Sequence, residues 1–492
     1  MGSLFRYKND FQYAFVIGKK HPKANGTFEK FTVASFLKNR KPGNVSHCTF
    51  RFGDSDSFNY TTDDISYTPE LGDKSPYRVL YNVAEGIRYN ATGPETITYA
   101  THVTLEYLLH IVEVATRWEG LISVACFLPG SDTGVALKIL ERLCYCVKEM
   151  EYVSVHFVYH WYHPPQLGEE DNSNGTRRLE NVRNATAGYN KTRTETRCFV
   201  PERVLKSSYR YKLKLVYPVN VARNVARYGS RTKYILVSDI ELLPSEHLVT
   251  EFLKMIERLK ERSKEMGENY FTRKRHVFVL PVFEVVEDEP DVPRTKIQLL
   301  DLYDKERAVY FHRLVCLHCQ RFPGLQRWLQ RKMHPKIRPG TIQPLIVVKR
   351  VFPYHRWEPV YIGTNQEPLY NELLTWEGQQ DKMTQMHEMC LQDYRFVILN
   401  GAFLVHTPGI KRQRDKINYN TLTDKTVQSG SKNRIIRLVN MENLFSSKKA
   451  AAVEFGSKEW RMEHMKRNAY LYEVITQDVI SKYPRNPGCR VH

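Results

Sequence analysis

Two carboxylates two residues apart, Asp239 and Glu241, follow Lys233 to Val237, an apolar run of strand length. Side chains leaving a buried strand as it turns can face one cation and leave positions open for phosphate oxygens, the coordination that Mg²⁺ or Mn²⁺ prefers. Ligands of open α/β sheets bind outside the carboxyl ends of strands, which is where this pair would lie. The same acidic pair also suits the positive end of a helix dipole, and spacing alone does not choose between the two readings. Cys316 and Cys319, with His312 and His318 nearby, offer half a zinc site. No second Cys-X-X-Cys completes the set, so a disulfide or core packing is the better reading. The chain has no Gly-X-X-X-X-Gly-Lys-Ser/Thr, no Gly-X-Gly-X-X-Gly after a strand, no Gly-X-Ser-X-Gly and no His-Glu-X-X-His. A nucleotide would therefore be held by a metal and basic side chains.

The elements that must position this chemistry alternate. Leu121 to Leu128 is a continuous apolar run closed by Pro129 and Gly130, and Asp132 then opens a stretch with apolar residues at Val135, Ile139, Leu140, Leu143 and Val147. Strand character returns at Tyr152 to Tyr159. Pro218 to Tyr228 fits a helix with proline at its first position, and Pro244-Ser245 starts another, with Ser245 as cap and Leu248, Phe252, Leu253, Ile256 and Leu259 on one face. Val277 to Phe283 reads as one further buried strand, and Phe396 to Leu399 and Phe403 to Val405 as two more. His334 to Gln366 is a linking tract of low periodicity, Thr423 to Asn433 a polar loop, and Ala469 to Ser481 a helix ended by Pro484. This order predicts an α/β fold with a mostly parallel central sheet covered by helices. Residues 1–95, polar, aromatic and rich in turns, read as a stem-like or accessory segment of short strands and loops before a catalytic body at 96–492.

The whole chain, 492 residues with 42% hydrophobic content and a formal charge of +19, is long enough for a large core and attracts anions. Nucleic acid is disfavoured as the anion, because basic residues, including Arg273-Lys274-Arg275 and Lys411-Arg412-Gln413-Arg414, are interleaved with acids and no binding signature appears. Asn-X-Ser/Thr occurs at Asn25, Asn44, Asn59, Asn90, Asn174, Asn184 and Asn190, and at no asparagine beyond 200. Chance yields roughly one or two such sites in the first stretch, so exposed glycosylated loops in the secretory pathway are the sharper reading. Nine cysteines suit that compartment, the odd number leaving one unpaired or paired with another chain. Apolar runs are far shorter than the about 20 residues of a membrane helix, and no amino-terminal signal is visible, so membrane association would need an anchor outside this chain.

The stretch Tyr217-Pro218-Val219-Asn220-Val221-Ala222-Arg223-Asn224-Val225-Ala226-Arg227, followed by Tyr234 to Ser245, resembles the donor-site region of glycosyltransferase family 49, which contains glucuronyltransferases. Trp118 to Ala125, Val279 to Glu284, Glu358 to Tyr361 and Phe403 to His406 extend the resemblance, in order, over about 96–490. It implies a GT-A-like nucleotide-sugar-binding fold and inverting transfer of a sugar, glucuronic acid by family analogy, from a UDP donor to a glycan acceptor on glycoproteins in the Golgi lumen. It further implies Mn²⁺, with Mg²⁺ as substitute, held by Asp239 and Glu241 at the family's Asp-X-Asp position and by His406 as third ligand. Donor contacts follow at Thr101, His102, Arg223 and Asn224, with Lys411 and Arg412 stabilising the leaving group.

Inversion needs one carboxylate base for the acceptor hydroxyl. The segment Pro368 to Leu373 resembles a family stretch reading Tyr-Asp-Glu, but Asn371 stands at the acid, and an amide cannot take the proton. Glu372 or Asp381 is then the substitute, or the chain is a weakened member that binds a sugar or a partner. Glu241 in place of Asp keeps two oxygens and adds a methylene of reach. Trp357, Tyr370 and Trp376 are candidates for stacking on sugar faces, with core packing as the commoner role of such residues.

Overall fold

The computed structural model describes residues 33–38, 40–168, 198–200, 205, 208–265, 275–330, 340–377, 379–407, 409–412 and 457–489. The fully apolar run Leu121–Phe127 forms β4 at the centre of a parallel group, as a strand covered on both faces should. It lies between β3 (Ile97–Thr104) and β5 (Val153–His160), and β6 (Tyr234–Val237) joins on the far side of β3. All four run parallel. The chain therefore winds outward from β3 to β4 to β5, then crosses back past β3 to lay down β6. This reversal opens a crevice at the carboxyl ends of β3 and β6, where neighbouring connections leave in opposite directions.

Both faces of this group are covered. The Asp132–Cys146 helix packs Leu137, Leu140 and Leu143 with Val124 and Cys126 on one face, while Val219, Ala222, Val225 and Ala226 of the Val219–Tyr228 helix pack with Ala100 and Ala125 on the other. Gly229, which caps that second helix, has no room for a side chain because the His156 ring sits against it: a Cβ there would come 2.2 Å from Nε2.

Around the parallel group the pairing is mixed. The ten-stranded sheet begins with β1 (Cys48–Phe50) and β2 (Tyr77–Gly86), antiparallel to each other and, at β2, to β5. Residues 48–86 thus belong to the same sheet as the carboxyl-terminal body. Beyond β6 come β12 (Val360–Gly363), β8 (His276–Leu280), β13 (Arg395–Asn400) and β11 (Gln343–Val348); only β8 and β13 are parallel there. The expected mostly parallel sheet is therefore parallel at its centre and mixed overall.

A second, four-stranded sheet runs in the order β10 (Ala308–Tyr310), β9 (Val282–Val285), β14 (Leu404–His406), β7 (Leu242–Pro244). It corrects two expectations. The single strand Val277 to Phe283 is divided at Pro281, which has no N–H to continue a ladder, so β8 stays in the large sheet and β9 enters the small one. Ser245 is not a helix cap: its N–H donates to the Phe403 carbonyl at 3.0 Å and its hydroxyl accepts from Phe403 N–H at 3.3 Å, and the helix begins at Leu248. The linking tract also supplies β11 and β12, and the last helix is longer than expected, Lys458–Lys482. The expected loop 423–433 and the sequons Asn25, Asn174, Asn184 and Asn190 lie outside the described residues.

Four disulfides join Cys48–Cys144, Cys146–Cys198, Cys316–Cys319 and Cys390–Cys489. Cys126 is the odd thiol, buried within β4, and the Cys316–Cys319 bond removes the zinc alternative.

Candidate active site at the strand-order reversal

Side chains alternate along β3, so Thr101 and His102 point to opposite faces. His102 faces the Val219–Tyr228 helix: its Nδ1 lies 2.7 Å from the Tyr217 hydroxyl and its Nε2 3.1 Å from Asp239 Oδ1. Thr101 is buried on the other face, and its hydroxyl finds no hydrogen-bond partner among the described residues. The two expected donor contacts are thus parted, and only His102 reaches Asp239.

The Val219–Tyr228 helix carries a polar stripe at i, i+3, i+4 and i+7: Asn220, Arg223, Asn224 and Arg227, all buried. Buried polar groups must be paired, and this stripe pairs with an irregular segment spanning residues 367–381. Asn220 donates to the carbonyls of Asn371 and Asp381, both at 2.8 Å. Asn224 binds the Tyr370 backbone twice, donating to its carbonyl at 2.8 Å and accepting from its N–H at 3.0 Å. Arg227 donates to the carbonyls of Glu367 and Pro368. Asn224 is therefore occupied in holding the segment.

Arg223 is the hinge of the charge network. One guanidinium nitrogen binds Asp381 and Asn220, and another lies 3.1 Å from Asp239 Oδ1. Tyr370 and Trp376 flank it, their ring centroids 5.4 and 6.0 Å from its central carbon. Burial would raise the carboxyls of Asp239 and Asp381, but Lys382 and Arg223 hold both below the ordinary range. Burial would likewise lower the Lys382 ammonium, and Asp381 beside it raises it. His102 is kept neutral by burial despite Asp239. Arg223, Asp239, Tyr370 and Lys382 line a cleft together with Leu242, Phe311, Gln320 and Pro359 to Tyr361. Lys382 and Tyr217 had no assigned role from sequence. The polar stripe, visible as four polar residues at helical spacing, is the signal that would have found their surroundings.

The small sheet carries the second half. In register, His406 lies opposite Glu284 on β9 and Leu242 on β7, which brings it beside Glu241. His406 Nε2 is 3.3 Å from Glu241 Oε2. Burial lowers His406; burial would raise Glu241, but His406 and Lys411 hold it below its ordinary range. The wholly buried Glu284, faced by the backbone N–H groups of His312 and Lys411, has its pKa pushed up by burial to about 7. An imidazole and two carboxyls, those of Glu241 and Glu284, are thus gathered here, and the carboxyl oxygens are of the type that Mg²⁺ and Mn²⁺ take. The three-residue set expected from sequence is not assembled, because Asp239 is turned onto Arg223 and His102. Among the described residues no three His, Cys, Asp or Glu side chains stand close enough to hold one ion. Lys411 lies 5.4 Å over the Phe311 ring, and Arg412 is exposed.

The base candidates differ in placement. Glu372 accepts from the backbone N–H groups of Glu70 and Leu71 and from the Asn224 amide, each at 3.1 Å, and is spent on that clasp. Asp381 sits on Arg223 and Lys382 at the cleft. Asn371 donates to Glu70 and accepts from Leu373 N–H, closing a local turn. Trp357 is core, Tyr370 is buried against the cleft and Trp376 is 38% exposed.

A parallel group with a crevice of paired carboxylates and cations at its strand-order reversal is an arrangement in which open α/β sheets bind ligands. Residues 96–442 match the family described as "Glycosyl-transferase for dystroglycan", and the chain belongs to that family, as a glycosyltransferase. Beta-1,4-glucuronyltransferase 1 of Danio rerio is 29% identical over 318 residues, covering 64% of this chain and 67% of its own length. The Homo sapiens protein of that name is 25% identical over 336 residues, covering 66% and 71%. Xylosyl- and glucuronyltransferase LARGE2 of Homo sapiens is 27% identical over 199 residues, 40% of this chain and 24% of its own.

Proposed function

We propose that this glycosyltransferase moves glucuronic acid from UDP to a glycan on a glycoprotein, with inversion and with a divalent cation. The observation that carries the reading is the meeting, beyond the carboxyl end of β6 where the two sheets adjoin, of the Asp239–Arg223–Asp381–Lys382 network with the Glu241–His406 pair. The names of the relatives support glucuronic acid, and the family description supports a glycoprotein acceptor.

Glu241 and His406 would hold Mn²⁺, or Mg²⁺ in its place, and Asp239 would become the third donor only on turning away from Arg223 and His102, which hold it in this structure. Bound there, the ion would neutralise charge on the departing diphosphate. Lys411 adds positive charge beside Glu241, and Arg412, exposed, is the next residue. His102 and Arg223 fix the Asp239 carboxylate, and Asn224 fixes the loop that bears Tyr370. Asp381, a weak base while paired with Arg223 and Lys382, would take the acceptor hydroxyl proton as the acceptor oxygen bonds to the anomeric carbon and the bond from that carbon to UDP breaks. Glu372 holds the loop in place.

The protein works in the Golgi lumen. Four disulfides and the exposed sequons Asn44, Asn59 and Asn90 support an oxidising, glycosylating compartment. Among the described residues no helix is long and apolar enough to cross a membrane. A screen of UDP sugars tests the donor: UDP-glucuronic acid is expected to be consumed fastest, and a strong preference for a neutral sugar would overturn that assignment.

A further inference from the structure

A row of aromatic side chains stands on the surface at the end of β5, outside the cleft. Trp161 is 46% exposed, Tyr162 65% and Tyr67 56%. The Arg78 guanidinium lies between two of these rings, 4.8 Å from the Tyr67 centroid and 5.5 Å from that of Trp161. Trp161 and Tyr162 are 5.0 Å apart, and Tyr162 stacks on His160 at 5.5 Å. Such large rings left in water, grouped around a cation, are unusual on a folded surface and mark a contact site.

The platform is built. Trp161 N–H is fixed to the Pro76 carbonyl at 2.9 Å, and Arg78 is anchored by donating to the carbonyls of Ser75 and Tyr77 at 2.6 and 2.8 Å. It also belongs to the edge that carries the cleft. His160 ends β5 as Val237 ends β6, and the strands between them are parallel. Three strand spacings separate the two, about 15 Å along the edge. A chain of contacts covers that interval: His163 to Tyr209, Tyr209 and Arg210 to Asp132, Arg210 to Glu377, Glu377 to Tyr217, and Tyr217 to His102.

The geometry points to an acceptor subsite for an acidic oligosaccharide. Flat rings offer a surface to the C–H faces of pyranoses, and Arg78 between them offers a partner to a sugar carboxylate. A charged donor for a carboxylate, flanked by apolar faces, selects an acidic sugar chain over a neutral one. The inference rests on the glycosyltransferase reading, and it places more remote sugar units of the acceptor on the platform while its end enters the cleft.

The test is binding by intrinsic tryptophan fluorescence and calorimetry, with a hexasaccharide of alternating glucuronic acid and N-acetylglucosamine as probe and its carboxyl-reduced form as neutral control. The full chain is expected to bind the acidic probe at least tenfold more tightly than the control. Trp161→Ala and Tyr162→Ala should each weaken the acidic probe at least fivefold, and Arg78→Gln should abolish the preference over the control. Unchanged binding in the Trp161→Ala and Tyr162→Ala variants, or no binding by the unaltered protein, would overturn the subsite. UDP titrated into the same samples separates the two readings: loss of UDP binding by the unaltered protein removes the donor site, whereas the saccharide titration judges the platform alone.

Discussion

Asp239 carries three contacts' worth of commitment, to Arg223, to His102 and through shared charge to Lys382, while its neighbour Glu241 turns to His406. The carboxylates that a two-residue spacing put on one cation are thus divided between two sheets. This predicts unequal phenotypes. Glu241→Gln and His406→Gln, which keep most of each side chain's volume, should weaken Mn²⁺-dependent UDP binding by about 10–100-fold with a smaller effect on stability, measured by calorimetry and by thermal melting. Arg223 should behave in the opposite way. Removing it leaves two carboxylates with Lys382 as their remaining cation, so Arg223→Met should lower stability by about 3 kcal/mol, read from urea unfolding. His156 contributes part of the pH dependence, alongside His160, His312 and His387, which burial also lowers. Burial lowers the His156 pKa to about 3, so the folded protein keeps it neutral while the unfolded chain takes up a proton near pH 6.5. The folded pKa is the depressed one, so its contribution is present above pH 6.5 and is lost as pH falls. Between pH 6.5 and 5 that loss should be about 2 kcal/mol, and His156→Gln should flatten the slope.

The Val219–Tyr228 helix shows how far an element can be read from sequence. Its position, its valine and alanine face and its place beside the donor stretch were legible, because a 3.6-residue period is strong over ten residues. Its polar stripe is aimed inward, and the partner is an irregular segment that has no period to read. Asn224→Ala should therefore act as a loop mutation, costing about 1–3 kcal/mol and raising the KM for donor through displacement of Tyr370. The small sheet was legible only at β14, read as Phe403 to Val405, and at the start of β9, read as the end of Val277 to Phe283, for another reason. Its strands have three or four residues each, too short for alternation to register, and the ladder between Ser245 and Phe403 overrode a plausible helix cap. The parallel centre, by contrast, announced itself through an uninterrupted apolar run. The candidate site was legible in its residue types. The parting of Thr101 from His102 and the engagement of Glu372 depend on strand alternation and on a loop some 300 residues away in sequence, where Glu70 and Leu71 hold it.

At the scale of the whole molecule, disulfides tie distant parts of the chain to the sheet. Cys48–Cys144 spans 96 residues and Cys390–Cys489 spans 99, so each closes a long loop. Replacing either pair by serine should cost about 2–5 kcal/mol, seen as a lower melting temperature under oxidising conditions. The +19 charge acquires a location only in part: Arg223, Lys382 and Lys411 gather at one cleft, and Arg78 at the aromatic row. The central claim is that the cleft at the strand-order reversal transfers a sugar from UDP with a metal. The most direct measurement is release of UDP coupled to sugar transfer, with UDP-glucuronic acid and Mn²⁺, compared between the unaltered protein and Asp239→Ala. Turnover that stops on chelation and falls by at least a hundredfold in Asp239→Ala is the predicted result; donor binding without turnover, or turnover indifferent to that substitution, would contradict the account.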